Sequence, residues 1–155
     1  MRQGVNIVIV ALLTALCAAG CASTPQASLE RDAEAKQFGS SPAAATVYIY
    51  RPTTNPAPHE ETVLWIDNRL IGATLPLVYF RVHLEPGRRV MNGFAYDNGQ
   101  LEIEVRPGEV YFVEHEIAHG QSRFRLVSAD LGKKVITNCC HLLETWAPGQ
   151  RPLIR

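Results

Sequence analysis

Hydrophobic and polar residues alternate along several short segments of this chain, with the period of two that marks a half-buried β-strand. The clearest case is residues 78–84, where Val78, Phe80, Val82 and Leu84 alternate with polar or aromatic residues. Strand-like composition recurs, between Pro-Gly and other turn sequences, at residues 46–51, 63–67, 70–74, 89–96, 101–105, 110–113 and 123–127. The pattern predicts a mainly β fold, an antiparallel β-sandwich or open barrel of about 7–8 strands.

The C-terminal region has a different period. Leu131, Val135, Cys139 and Leu142 fit one face of a helix, although Gly132 lowers the helical propensity of the segment. We therefore predict a short C-terminal helix after the last long strand.

The N-terminus has the layout of a secretory signal. Arg2 supplies a positive charge, an apolar stretch follows from residue 7, and three small residues precede Cys21. The apolar stretch is shorter than the roughly 20 residues that a membrane-spanning helix needs. The cysteine directly after the small residues resembles the lipidated cysteine of a bacterial lipoprotein signal. An ordinary signal peptide, cut near Ala22 without lipidation, is the alternative.

These features divide the chain into four parts. Residues 1–20 are predicted to be the signal peptide, and residues 21–45 the lipidated cysteine with a flexible tether rich in Ser, Ala, Pro and Gln. Residues 46–146 form the predicted β-sandwich domain, and residues 147–155 a C-terminal tail.

The charge balance argues against a nucleic-acid partner. The chain has 15 basic and 15 acidic residues, and removal of the signal takes away only Arg2, leaving 14 and 15. No cofactor is expected. The partners that we expect are the membrane, through lipid on Cys21, and an envelope protein or the cell wall.

One string matches a catalytic signature. His115-Glu116-Ile117-Ala118-His119 fits H-E-x-x-H, in which a helix brings two histidines about 6 Å apart to hold zinc beside a glutamate base. The strand composition of residues 110–113 predicts an extended backbone instead, which would separate His115 from His119 by about 13 Å. We therefore expect no catalytic residues and no metal ligands, with a zinc-dependent hydrolase using His115, Glu116 and His119 as the alternative. Third ligands for that alternative are generic: His141, Glu144, Cys139 and Cys140.

Two further groups have both a functional and a structural interpretation. Cys139, Cys140 and His141 suit a soft metal or redox chemistry, but adjacent cysteines are too close for relaxed disulfide geometry, so we expect free thiols in the core. Tyr48 and Tyr50 lie on one strand face, which would be a binding patch if exposed. Aromatic residues in such strands more often fill a core or make cross-strand pairs.

The domain also resembles a family of small bacterial lipoproteins, a domain of unknown function. The matching pieces occur in order between about residues 45 and 127: Val47-Tyr48-Ile49-Tyr50-Arg51-Pro52, Ile66-Asp67-Asn68-Arg69-Leu70-Ile71-Gly72, Tyr79-Phe80, Leu84-Glu85-Pro86-Gly87, and Pro107-Gly108-Glu109-Val110-Tyr111-Phe112-Val113. The resemblance implies a β-sandwich in the cell envelope and assigns no activity or catalytic residue. It does not account for the 115–119 string or the cysteine pair.

We therefore expect a lipid-anchored, non-enzymatic interaction or accessory module. Ala22 after Cys21, in place of aspartate, resembles outer-membrane lipoproteins and predicts the outer membrane, facing the periplasm.

Overall fold

A computed structural model describes residues 24–52, 62–94, 99–118 and 121–145. The signal peptide, Cys21, His119 and the predicted tail at residues 147–155 lie outside the described residues. Within them the elements follow the order α1 (Leu29–Ala35), β1 (Ala45–Arg51), β2 (Thr62–Ile66), β3 (Arg69–Thr74), β4 (Val78–Leu84), β5 (Gly87–Phe94), β6 (Gln100–Val105), β7 (Val110–Ala118), β8 (Gln121–Val127), α2 (Ala129–Cys139) and β9 (His141–Leu142). The mainly β fold and the C-terminal helix are confirmed.

The strands form two sheets that pack as a sandwich. The first sheet has five strands in the order β8-β7-β1-β4-β9, and the second has four in the order β3-β2-β5-β6. Most neighbours are antiparallel, but β1 pairs in parallel with β7, and β4 with β9. The first sheet is therefore mixed, and in each parallel pair several other elements lie between the two strands along the chain.

β1 is buried along its whole length because it is central in a sheet that is covered on both faces. Val47 and Ile49 point into the core between the sheets, with Leu64, Phe80 and Met91. Tyr48 and Tyr50 point to the opposite face, where α1 and α2 cover them; that second core also contains Ala35, Tyr79, Phe112, Ile136, Cys140 and Leu142. The protein thus has three layers, with the first sheet in the middle.

A serine begins each helix. The Ser28 hydroxyl accepts a hydrogen bond from the amide of Arg31, and Ser128 accepts one from Leu131, so each satisfies a backbone donor that the helix leaves free. In α2, Gly132 lies against Phe112, and a methyl group at its Cα would come within 2.4 Å of that ring. The glycine that weakens the helical pattern therefore allows α2 to pack closely on β7.

A tight turn joins β2 and β3 at Asp67 and Asn68. Both residues have positive φ, 50° and 63°, as the common two-residue hairpin turn requires. The strands predicted at residues 63–67 and 70–74 leave Asn68 and Arg69 between them, so the turn is one residue earlier than that spacing implies. Asp67 strengthens it, because its carboxylate accepts hydrogen bonds from the amide of Val90 at 2.9 Å and from Arg89 at 2.9 Å.

α1 is fixed to the first sheet by a buried carboxylate. Asp32 accepts hydrogen bonds from the Tyr79 hydroxyl at 2.9 Å, the Leu142 amide at 2.8 Å and Lys36 at 2.7 Å. Burial opposes the charged form, but these hydrogen bonds outweigh it and lower the pKa of Asp32 below its ordinary value. The segment that we predicted to be a flexible linker at residues 21–45 is therefore packed on the domain from residue 24 onward.

The residues before α1, which we call the strap (residues 24–28), contact both sheets. Thr24 accepts a hydrogen bond from the Ala73 amide at 2.7 Å on β3, which is an edge strand. Pro25 accepts one from Glu144 at 2.8 Å, and Ala27 donates one to Leu142 at 2.9 Å beside β9, the other edge. A sequence rich in small and polar residues gave no sign of these contacts, because backbone atoms and one hydroxyl make them.

Candidate functional site

His115 lies in the middle of β7, and its side chain points into the core between the sheets. It is 1% exposed, stacks on Phe124 with ring centroids 4.5 Å apart, and has its Nε2 3.3 Å from the Ser122 hydroxyl. Its Nδ1 has no hydrogen-bond partner among the described residues. Burial, and after it the charge of Arg51, lower the pKa of His115 to about 3. The imidazole is therefore neutral at physiological pH.

The backbone at residues 115–118 is a strand and not the helix that the H-E-x-x-H signature needs. Successive side chains of a strand point to opposite faces, so Glu116 points away from His115. It borders a depression on the helix side of the sheet with Glu114, Arg123 and Arg125. No group of three metal-ligating side chains occurs among the described residues, which do not include His119. The extended backbone argues against the zinc alternative.

Ser122 and His115 are also too enclosed to form a nucleophilic pair. Ser122 is 2% exposed, and the imidazole beside it has no acid among the described residues to orient its second nitrogen, as a serine hydrolase requires. Two glycines allow the close packing here: a methyl group on Gly93 would lie 2.1 Å from the Ser122 hydroxyl, and one on Gly99 would lie 1.8 Å from its carbonyl oxygen. The arrangement holds β5 and β6 against β8, so its role is to pack the two sheets together.

The adjacent cysteines are joined to each other in a disulfide. Our expectation of free thiols was wrong, although the expected burial is present. Cys140 is buried in the second core, with Cys139 packed against it at the end of α2. His141 is exposed in β9, where its backbone pairs with Val78. The three side chains therefore form no common site for a soft metal.

The aromatic face of β1 is not a binding surface. Tyr48 stacks on Phe112 with centroids 5.2 Å apart and donates a hydrogen bond to the carbonyl oxygen of Ala35 at 2.8 Å. Tyr50 donates one to the carboxylate of Glu114 at 3.0 Å. Burial raises the pKa of both phenols. Tyr48 therefore binds α1 to the sheet, and Tyr50 links β1 to β7 within the core beneath the helices.

A wide cleft lies between the two edge strands β3 and β9, beside the strap. It has a volume of about 680 Å³, and arginines from α1, β3, β4 and β5 border it: Arg31, Arg69, Arg81 and Arg89. Three carboxylates border it as well: Asp67, Glu85 and Glu144. We call this opening the arginine cleft.

Ion pairs hold three of the four arginines. Arg31 contacts Glu144 at 2.5 Å, and Arg89 contacts Asp67 at 2.9 Å. Arg81 makes two hydrogen bonds of 2.8 Å to Glu34 of α1, and this contact raises its pKa. Arg69 is exposed and has no ion pair with a described residue.

Sequence reasoning missed the arginine cleft because its arginines are scattered over nearly sixty positions, from residue 31 to residue 89. The near-zero net charge concealed it as well. Only the folded arrangement, in which edges of the two sheets lie side by side, brings the residues together.

No helix in the described part of the chain is long and apolar enough to cross a bilayer.

Comparison with known proteins shows a similarity to a protein whose activity is not known. The chain is 30% identical to an uncharacterised protein of Haemophilus influenzae over 129 residues, which make up 79% of this chain and 76% of that protein. No family model matches the chain. No solved structure matches it either.

Proposed function

Because the chain belongs to one family with the uncharacterised Haemophilus influenzae protein, whose name gives no activity, we propose a function from its own residues. The protein is a lipid-anchored, non-enzymatic module of the bacterial cell envelope. The observation that carries the proposal is Cys21, directly after three small residues and an apolar stretch that is too short to span a membrane. One acyl chain binds a membrane reversibly, whereas two or more on the same residue anchor it stably.

The cysteine pair at the other end of the chain supports an exported location. Disulfides persist in oxidising compartments such as the bacterial periplasm and are rare in the reducing cytosol. A disulfide between Cys139 and Cys140 is therefore in keeping with a domain that crosses the inner membrane behind a signal peptide. The residue after Cys21 is Ala22, which favours the outer membrane, and the expected partner there is an envelope protein or the cell wall.

The non-enzymatic part of the proposal rests on the polar residues of the domain. Three polar side chains that could take part in catalysis are buried and make structural contacts: His115 and Ser122 in the core, and Asp32 on the buried face of α1. Glu116 borders a depression on the opposite face of β7, away from His115. A general acid or base needs access to substrate and a pKa near the working pH, and burial gives His115 neither.

The experiment is metabolic labelling with an alkyne analogue of palmitate in a bacterial host. The wild-type chain should incorporate the label and fractionate with membranes, and Cys21→Ala should lose the label. Cys17→Ala is the matched control, because it removes a cysteine four positions away, within the segment that cleavage discards. Equal labelling of the wild type and Cys21→Ala, or no labelling of either, would overturn the anchor.

A further inference from the structure

Chain geometry places the arginine cleft close to the anchor. Cys21 is three residues before Thr24, and an extended chain spans at most about 3.6 Å per residue, so the two Cα atoms are at most about 11 Å apart. Thr24 is hydrogen-bonded to Ala73 on β3. If Cys21 carries lipid, the edge strand β3 therefore lies within a short distance of the bilayer surface.

The strap and the arginine cleft are direct neighbours. Ile71, in the wall of the cleft, is two residues before Ala73, which holds Thr24. Glu144, in the opposite wall, donates its backbone amide to the carbonyl of Pro25. The strap thus contacts one wall at Glu144 and, at Ala73, the strand that supplies Ile71 to the other wall. A lipid on Cys21 would keep the cleft close to the phospholipid headgroups.

Two exposed leucines follow Ala73, the β3 residue that is hydrogen-bonded to Thr24 of the strap. Leu75 is 44% exposed and Leu77 is 40% exposed, in the turn that follows β3. Exposed apolar side chains beside an anchor can enter the boundary between headgroups and acyl chains, as the apolar faces of interfacial segments do. They favour an orientation in which the β3 edge faces the membrane along its length.

The chemistry of the cleft suits a phosphate group. Guanidinium presents five donors in a planar fork that matches phosphate oxygens, and a single carboxylate does not use all of them. Arg69 is exposed with no described ion-pair partner, and the pair of Arg31 with Glu144 is open to solvent, with the side chains 58% and 30% exposed. Exposed pairs of this kind are weak, so Arg31 can exchange its partner at little cost.

We propose that the arginine cleft binds the phosphate headgroups of anionic phospholipids in the membrane that holds Cys21. Arg69 and Arg31 make the contact, while Glu34 and Asp67 hold Arg81 and Arg89 at the border. This inference rests on the proposed anchoring. It adds that the domain lies on the membrane through a defined surface and does not extend away from it on a long tether.

The test uses the full lipidated protein, purified from membranes and reconstituted into vesicles. One set contains phosphatidylcholine alone and the other contains equal amounts of phosphatidylcholine and phosphatidylglycerol. Each is treated with phenylglyoxal, which modifies accessible arginines, and mass spectrometry follows Arg69. Arg123 is the internal control, since it is an exposed arginine on β8, four strand spacings or about 19 Å across the sheet from β9.

The expected result is a severalfold slower modification of Arg69 in vesicles with phosphatidylglycerol, while Arg123 reacts equally in both. Equal reaction of Arg69 in the two sets would overturn the proposal. A third arm adds inorganic phosphate to phosphatidylcholine vesicles. Protection there as strong as that by phosphatidylglycerol would overturn the lipid assignment, because it would identify a site for a soluble anion.

The mass of the intact protein separates this proposal from the anchoring on which it rests. If the purified chain carries no lipid on Cys21, the proposed function fails and the membrane assignment of the cleft fails with it. If the lipid is present and Arg69 reacts equally in both vesicle sets, the anchoring stands and the cleft proposal alone is overturned.

Discussion

Burial of His115 predicts that the protein loses stability on mild acidification. Unfolded, the imidazole takes up a proton near its ordinary pKa of about 6.5, whereas in the folded protein burial lowers the pKa of His115 to about 3. Between these values the unfolded state binds one more proton than the folded state. Falling pH therefore favours unfolding, and the stabilisation present at neutral pH is lost progressively below about 6.5.

The magnitude follows from the two pKa values. One proton of difference changes the free energy of unfolding by about 1.4 kcal/mol per pH unit. Integrated from pH 7 to pH 5, with the first half-unit above the ordinary pKa contributing little, the loss is about 2 kcal/mol. That is a large part of the 5–15 kcal/mol of a typical domain.

The assay is urea unfolding followed by circular dichroism at pH 7, 6 and 5, for the wild type and for His115→Gln. The variant loses the stack on Phe124 and is less stable at every pH, but it has no imidazole to titrate, so its loss between pH 7 and 5 should be smaller by about 2 kcal/mol. His141→Gln, in which an exposed histidine is replaced, controls for the loss of an imidazole in general and should follow the wild type. Parallel pH profiles for the wild type and His115→Gln would refute the reasoning.

Four further outcomes are expected. Gly132→Ala should lower the free energy of unfolding by about 1–3 kcal/mol through overpacking against Phe112. Gly39→Ala, with open space around the glycine, should not lower it, and equal effects of the two substitutions in urea unfolding would contradict the packing of Gly132 on Phe112. Tyr79→Phe should lower the free energy of unfolding by about 1.5–3 kcal/mol, because the Tyr79 hydroxyl donates a hydrogen bond to the buried carboxylate of Asp32. Tyr111→Phe removes an exposed hydroxyl, and a loss of stability as large as that of Tyr79→Phe would count against this reasoning. The amides of Ala27 and Ala73 should exchange slowly with deuterium, since the first donates to Leu142 and the second to Thr24; exchange as fast as in an unfolded peptide would show that the strap is detached. Protein purified without added metal should contain no stoichiometric zinc, and zinc that disappears in His115→Ala would restore the hydrolase alternative.

The strands could be predicted from the sequence because the residue types within each strand reflect what its two faces contact. The prediction for residues 78–84 coincides with β4. Successive side chains of a strand point to opposite faces, so Phe80 and Val82 enter the core between the sheets while Tyr79 enters the core beneath the helices. The composition of residues 110–113 predicts an extended backbone that continues into the 115–118 string, and β7 does continue to Ala118, where pairing with β8 keeps its polar residues extended. The alternation of side chains within a strand does not show which strands pair, so the parallel pairing of β1 with β7 could not be predicted.

Local sequence patterns are enough to predict the mainly β fold and the opposite faces of Val47 and Ile49 against Tyr48 and Tyr50, and they are the basis of the proposed anchor at Cys21. These depend on residues close together in the chain. Three features become visible only in the folded chain: two helices cover the tyrosines, Cys139 and Cys140 are joined, and the strap is packed on the sandwich. The tertiary structure also brings arginines from four elements together at one cleft beside the strap. Burial and the clustering of charges depend on which sheet edges lie next to each other. Contacts between segments far apart in the chain, many of them backbone hydrogen bonds, fix that arrangement, and they leave no pattern in any one stretch of sequence.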